Sequence, residues 1–204
     1  MGTVTLGVSI AVPEPYGSFL QARRAAFGDP AAWCIPTHVT LLPPTEADPA
    51  ALPAIERHLA EVAATARPFP MRLRGTGTFR PLSPVVYVAV VEGAEECADL
   101  QEWVRAPDGP CARELQFPYH PHVTVAHGIA EDAMDRAQAD LAGYEAAWTA
   151  GGFALYEQGA DEVWRLEREF PFTGGVAGPG STGAGSGAVV PRQANLYRPP
   201  ATSR

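Results

Sequence analysis

Two rhythms of apolar and polar positions take turns along the chain. The aliphatic run from Val4 to Val12 has the density of a buried strand, and the segment from Pro15 to Phe27 returns apolar residues at helical spacing. Thr37 to Leu42 reads as a short strand. Asp48 stands where a helix N-cap belongs, and Leu52, Ile55, Leu59 and Val62 then recur every three or four residues up to Ala66. Two strands, Phe69 to Phe79 and Val85 to Val91, flank a turn containing Pro81 and Pro84. A helix from Ala94 to Arg105 turns Cys97, Leu100 and Val104 inward and ends at Pro107-Asp108-Gly109-Pro110. The remaining pattern predicts a strand over 119–125, a helix over 131–141, and strands over 146–156 and 163–170.

The order after His38 is strand, helix, strand, strand, and the order after His122 is the same. The chain therefore reads as a duplication, each copy opening with a similar tetrapeptide: His38-Val39-Thr40-Leu41 and His122-Val123-Thr124-Val125. In a strand, residues i and i+2 share a face, so His38 projects with Thr40 and His122 with Thr124, while the aliphatic residues between them anchor the core. Two such pairs brought face to face suit a phosphate group. The hydroxyls of Thr40 and Thr124 would donate to its non-bridging oxygens, and the imidazoles of His38 and His122 would flank the attacking and leaving oxygens. An unperturbed pKa of about 6.5 lets one ring be neutral and the other protonated near neutral pH. These four residues are the candidate catalytic set, and both threonines also bind substrate.

Composition narrows the partners. All 15 basic residues are arginine, against 23 acidic ones, for a net charge of −8; a chain this acidic is a poor grip for long duplex nucleic acid, whose binding depends on clustered cations. The absence of lysine removes Schiff-base chemistry and a phosphate-loop lysine. Cys34, Cys97 and Cys111 are odd in number and form no CxxC, which argues against a disulfide framework or a cysteine zinc site. His120-Pro121-His122 with His38 imitates part of a zinc site, yet no carboxylate stands at ligand spacing, so neither metal nor cofactor is expected. With no apolar run near the roughly 18 residues of a membrane span and no basic leader, the chain is expected to be cytoplasmic and away from membranes. Glycine-rich composition from Thr173 predicts a flexible tail over 173–204, leaving one domain over 1–172.

Other side chains take secondary roles. Phe79 is read as either a core ring or a stacking surface for a nucleobase, and is carried forward as a candidate substrate-binding residue. Tyr119 is read as core, His58 as a helix-surface residue, and His120 as a strand-start or cleft-rim residue. His127 has the opposite parity from His122 and Thr124, which favours a structural role.

The segments Pro36-Thr37-His38-Val39-Thr40-Leu41 and Pro121-His122-Val123-Thr124-Val125-Ala126, with Gly75-Thr76-Gly77-Thr78-Phe79 and the following Val85–Val90 between them, resemble the 2H phosphoesterase superfamily. Its bacterial members are commonly labelled 2′-5′ RNA ligase or cyclic phosphodiesterase proteins. The resemblance covers most of residues 1–171. It implies an α+β fold with two pseudo-symmetric lobes, largely antiparallel sheets lining a central cleft, and helices outside. It further implies phosphodiester chemistry, typically opening of a 2′,3′-cyclic phosphate on a nucleotide or RNA end, with His38 as acid and His122 as base. RNA ligation, RNA 3′-end trimming and a non-catalytic phosphorylated-ligand binding module are the alternatives. RNA-acting members often carry an arginine just after each motif; here Leu41-Leu42-Pro43-Pro44 and Val125-Ala126-His127-Gly128 stand there, which weakens the ligase assignment.

Overall fold

Eight strands and four α-helices form an α+β fold in a computed structural model that describes residues 2–174. In chain order they are β1 (Val4–Ala11), α1 (Tyr16–Ala26), β2 (His38–Ala47), α2 (Leu52–Thr65), β3 (Phe69–Thr78), β4 (Val85–Glu92), α3 (Ala94–Val104), β5 (His122–His127), α4 (Glu131–Asp140), β6 (Glu145–Ala150), β7 (Gly152–Gln158) and β8 (Trp164–Pro171). The strands make two four-stranded sheets, ordered β2-β1-β7-β8 and β5-β4-β3-β6, and every pairing is antiparallel.

The two sheets are built alike. Each has a His-x-Thr strand at one edge, paired with the strand that precedes it in sequence. The duplication is therefore real, but its frame differs from the one the sequence suggests. The repeating unit is strand, helix, His-x-Thr strand, helix: β1-α1-β2-α2 and β4-α3-β5-α4. The expected strand over 146–156 is two strands. β6 pairs with β3 in the second sheet, and after Gly151 the chain crosses to the first sheet, where β7 lies between β1 and β8. Gly152 permits the crossing, since a Cβ there would stand 2.6 Å from the Phe170 carbonyl oxygen.

β2 runs on to Ala47, beyond the predicted Leu42. It crosses Pro43 and Pro44 because an edge strand can spare the N–H groups that proline lacks. β5 begins only at His122, after Pro121, so His120 lies before the strand. Asp48 caps as expected, but the turn it caps is 3-10, with its Oδ1 accepting from the Ala50 N–H at 2.9 Å before α2 begins.

Val39 and Leu41 of β2, and Val123 and Val125 of β5, are fully buried and join one core with Leu59, Leu100, Met71 and Leu155. The helices interlock the halves: α1 packs against β5, and α3 against β2. Phe19 of α1 stacks on Tyr144 at 5.4 Å between ring centres, and Arg23 bonds Asp140 of α4 at 2.6 Å. His58 is not a free surface residue. It is half-buried, and its Nε2 bonds the Val104 carbonyl at 3.0 Å, tying α2 to the end of α3. The backbone N–H groups of Thr173 and Gly174 bond the Ala63 and Ala66 carbonyls, so the packed chain continues past the expected boundary at 172. The rest of the predicted tail lies outside the described residues.

Candidate active site

Both motif histidines open an edge strand, and the chain seats them in the same way. His38 Nδ1 bonds the carbonyl of Pro36 at 2.6 Å, and His122 Nδ1 bonds the carbonyl of His120 at 2.6 Å. In the neutral ring this makes Nδ1 the donor and leaves Nε2 free to take a proton. His38 stands opposite Ala11 and His122 opposite Ala89, so a small side chain makes room beside each ring. Thr40 follows on the same face opposite Ser9, and Thr124 opposite Tyr87. Neither threonine hydroxyl has a hydrogen-bond partner in the chain among the described residues.

A β-bulge follows each threonine. Val8 pairs with Leu42 and Ser9 with Thr40, leaving Leu41 as the extra residue; Val86 pairs with Ala126 and Tyr87 with Thr124, leaving Val125. Leu41 and Leu42 are consequently buried together, as are Val125 and Ala126. The alternation then resumes out of step. That puts His127 at the cavity wall, contrary to the parity of an unbroken strand.

A cavity of about 190 Å³ collects His38, Thr40, Thr124 and His127 with Ser9, Arg24 and Trp164. A larger hollow of about 750 Å³ lies against Trp103, Arg105 and Arg113, and contains none of the motif residues. The smaller one holds three of the four motif residues, and His122 is not part of its lining. Burial in the cleft wall pushes the His38 imidazole down to about 4; the bond to Pro36 opposes this, while the charges of Arg24 and His122 reinforce it. His122 is lowered too, first by burial and then by His120, against the bond to the His120 carbonyl. The charge of His122 thus counts against a charge on His38, whereas the neighbouring charge that counts against His122 is that of His120.

Around His122 the wall is aromatic. Phe79 meets the ring edge-on at 4.9 Å and 87°, Tyr87 lies 5.3 Å away, and His120 packs on both at 5.6 and 5.2 Å. Gly77 makes this possible: it faces Tyr87 across the sheet, and a Cβ there would stand 2.5 Å from the tyrosine ring. Phe79 is therefore a packing partner of the imidazole itself. Tyr119 packs against the core and donates its hydroxyl to the Thr40 carbonyl at 2.8 Å, joining the loop before β5 to β2. Arg80, on the turn after β3, is engaged by Glu131 at 2.6 Å and Asp135 at 2.9 Å. Among the described residues no cluster of three or more metal-ligating side chains occurs.

Sequence reading missed Ser9, Arg24, Asp29 and Trp164. Ser9 alternates with the core residues Val8 and Ile10, a signal that was present. Arg24 arrives from α1, and no local pattern announces it.

The family model for the 2′-5′ RNA ligase superfamily matches residues 12–162, a span that contains both motifs. The chain belongs to this superfamily of 2H phosphoesterases. A candidate phosphoesterase of Halalkalibacterium halodurans is 26% identical over 128 residues, covering 63% of this chain and 72% of its own length. Among solved structures, TT0787 of Thermus thermophilus superposes with a TM-score of 0.62 at 24% identity, over 84% of this chain and 99% of that one. E. coli LigT, solved with 3′-AMP, superposes with a TM-score of 0.58 at 17% identity over 84% and 99%. These superpositions establish the shared two-sheet fold. In the superfamily's terms, the chain is a phosphoesterase whose cleft lies between two His-x-Thr strands.

Proposed function

We propose that the chain hydrolyses a 2′,3′-cyclic phosphate on a nucleotide or RNA end, using His38 and His122 as an acid–base pair and no metal. The observation that carries this reading is the matched pair of 2.6 Å bonds from Nδ1 to a backbone carbonyl, which leaves Nε2 of both rings uncommitted. One Nε2 takes a proton from water as the water oxygen bonds phosphorus. The other gives a proton to the ribose oxygen as its bond to phosphorus breaks, and a phosphomonoester results. Thr40 and Thr124 donate to the non-bridging oxygens, where charge accumulates. Both rings then exchange protons with solvent and regain their starting states.

Arg24 bears on the roles of the rings. Burial first, and the charge of Arg24 in addition, disfavour an imidazolium at His38, which favours His38 as the neutral base and His122 as the acid. That reverses the order implied by family resemblance. Phe79 packs against His122, beside which a nucleobase would stack on it, and the 3′-AMP held by LigT supports a small nucleotide as the ligand class.

The test is incubation with the 2′,3′-cyclic nucleotides of the four bases, followed by phosphorus NMR. Replacement of the cyclic resonance by that of a monoester is the expected result. Saturable shifts without turnover would identify a binding module instead, and joining of RNA ends would identify a ligase.

A further inference from the structure

We infer that Arg24 is the cationic phosphate ligand of this cleft and that Asp29 positions it, an inference that rests on the phosphoesterase reading above. Arg24 is 8% exposed and Asp29 4%, an unusual depth for either type unless the charge is used or neutralised. Arg24 Nε bonds Asp29 Oδ2 at 2.7 Å. The same oxygen accepts the His127 backbone N–H at 3.0 Å, and Oδ1 accepts the Ala31 N–H at 2.9 Å. Three donors from two lobes thus fix the carboxylate, and the carboxylate fixes the guanidinium from behind.

The other end of the fork is open. Among the described residues the two terminal nitrogens of Arg24 have no acceptor in the chain, and they are not among the sealed, unpartnered polar atoms. Arg24 lines the same cavity as His38, Thr40 and Thr124, and that lining contains no Asp or Glu. An arginine that binds a carboxylate through Nε keeps two parallel N–H donors, a geometry matched to two oxygens of a phosphate.

The site needs such a charge. The threonine and Ser9 hydroxyls are neutral, and burial works against a charge on either imidazole. Without Arg24, a phosphodiester anion leaving water would meet hydrogen-bond donors and no permanent charge beyond the proton carried by the acid imidazole. The segments after both motifs, Leu41-Leu42-Pro43-Pro44 and Val125-Ala126-His127-Gly128, contain no arginine, and α1, which packs against β5, brings one from the other lobe.

The experiment compares the wild type with Arg24→Gln/Asp29→Asn, which removes both charges and can keep the side-chain hydrogen bond. Inorganic phosphate affinity is measured by calorimetry, turnover with 2′,3′-cyclic nucleotides, and folding by Tm. With Tm retained, phosphate should bind about 10- to 100-fold more weakly and KM should rise in step, with a smaller change in kcat. Asp29→Asn alone should weaken phosphate binding less, because Arg24 stays but is no longer held. Unchanged phosphate affinity and KM in a folded double variant would overturn the inference while leaving hydrolysis intact. Arg24-dependent phosphate binding without turnover of any cyclic nucleotide would instead sink the hydrolase reading and retain the ligand assignment. Should the double variant fail to fold, the side-chain ¹⁵N resonance of Arg24 in the wild type decides: it moves during phosphate titration if Arg24 is the ligand, and stays fixed if it is only a structural tie.

Discussion

The His38 and His122 halves of the cleft share one backbone design and differ in what surrounds it. Each begins an edge strand with a ring tied to the carbonyl two residues back at 2.6 Å, sets an uncommitted threonine two residues on, and follows with a bulge. Beyond that shell the likeness ends. The His38 half faces Ser9 and a buried guanidinium; the His122 half faces Tyr87, Phe79 and His120. Duplication supplied two equivalently seated imidazoles, and their neighbours make them unequal. An acid–base pair needs that inequality, because two rings with one protonation state cannot give and take a proton in the same step.

The sharpest way to break the comparison is to remove a ring. His38→Ala or His122→Ala should each lower turnover by about 10²–10⁴-fold on a substrate the wild type hydrolyses. The double variant should fall far short of the product of the two losses, because one missing carrier already stops the concerted transfer. Either single variant retaining near-native rates in a steady-state assay would exclude the paired mechanism.

Thr40→Ala and Thr124→Ala each withdraw one donor from the phosphoryl oxygens, and kcat should fall by about 10²-fold in both. Equal losses would show that the halves grip the phosphate symmetrically even though their rings differ. Phe79→Ala acts on one half only. It should raise KM by the equivalent of about 1–3 kcal/mol if a base stacks there, and Phe79→Leu should restore packing on His122 without restoring KM. Full recovery of KM by leucine would assign Phe79 to packing alone.

Both imidazoles are lowered, so the folded protein binds fewer protons than the unfolded chain just below pH 6.5. Stability should therefore fall as pH drops from about 6.5 towards 4, and His38→Ala should flatten that part of a Tm-versus-pH curve. For the same reason kcat/KM should peak on the acidic side of pH 6.5, with two limbs that belong to the coupled pair. The smallest effect is expected far from the cleft. His58→Ala should cost about 1 kcal/mol of stability in denaturant unfolding, through the bond to Val104, and leave turnover unchanged.

Local rhythm determined much of this protein. The i, i+2 spacing put His38 with Thr40 and His122 with Thr124 on one face, and sent Val39, Leu41, Val123 and Val125 into the core. These follow from strand geometry, which neighbouring residues set among themselves. Tertiary structure decided what depends on distant parts of the chain. The crossing at Gly151-Gly152 is set by which sheet has a free edge, and an apolar run reads the same in either sheet. The bulge that turns His127 to the cavity arises from the pairing of β5 with β4, and its counterpart in β2 from pairing with β1. Arg24 reaches the cleft because α1 packs against β5, and Asp29 meets a backbone N–H 98 residues further along. Side-chain periodicity records which face of an element is buried; only packing decides what that face meets.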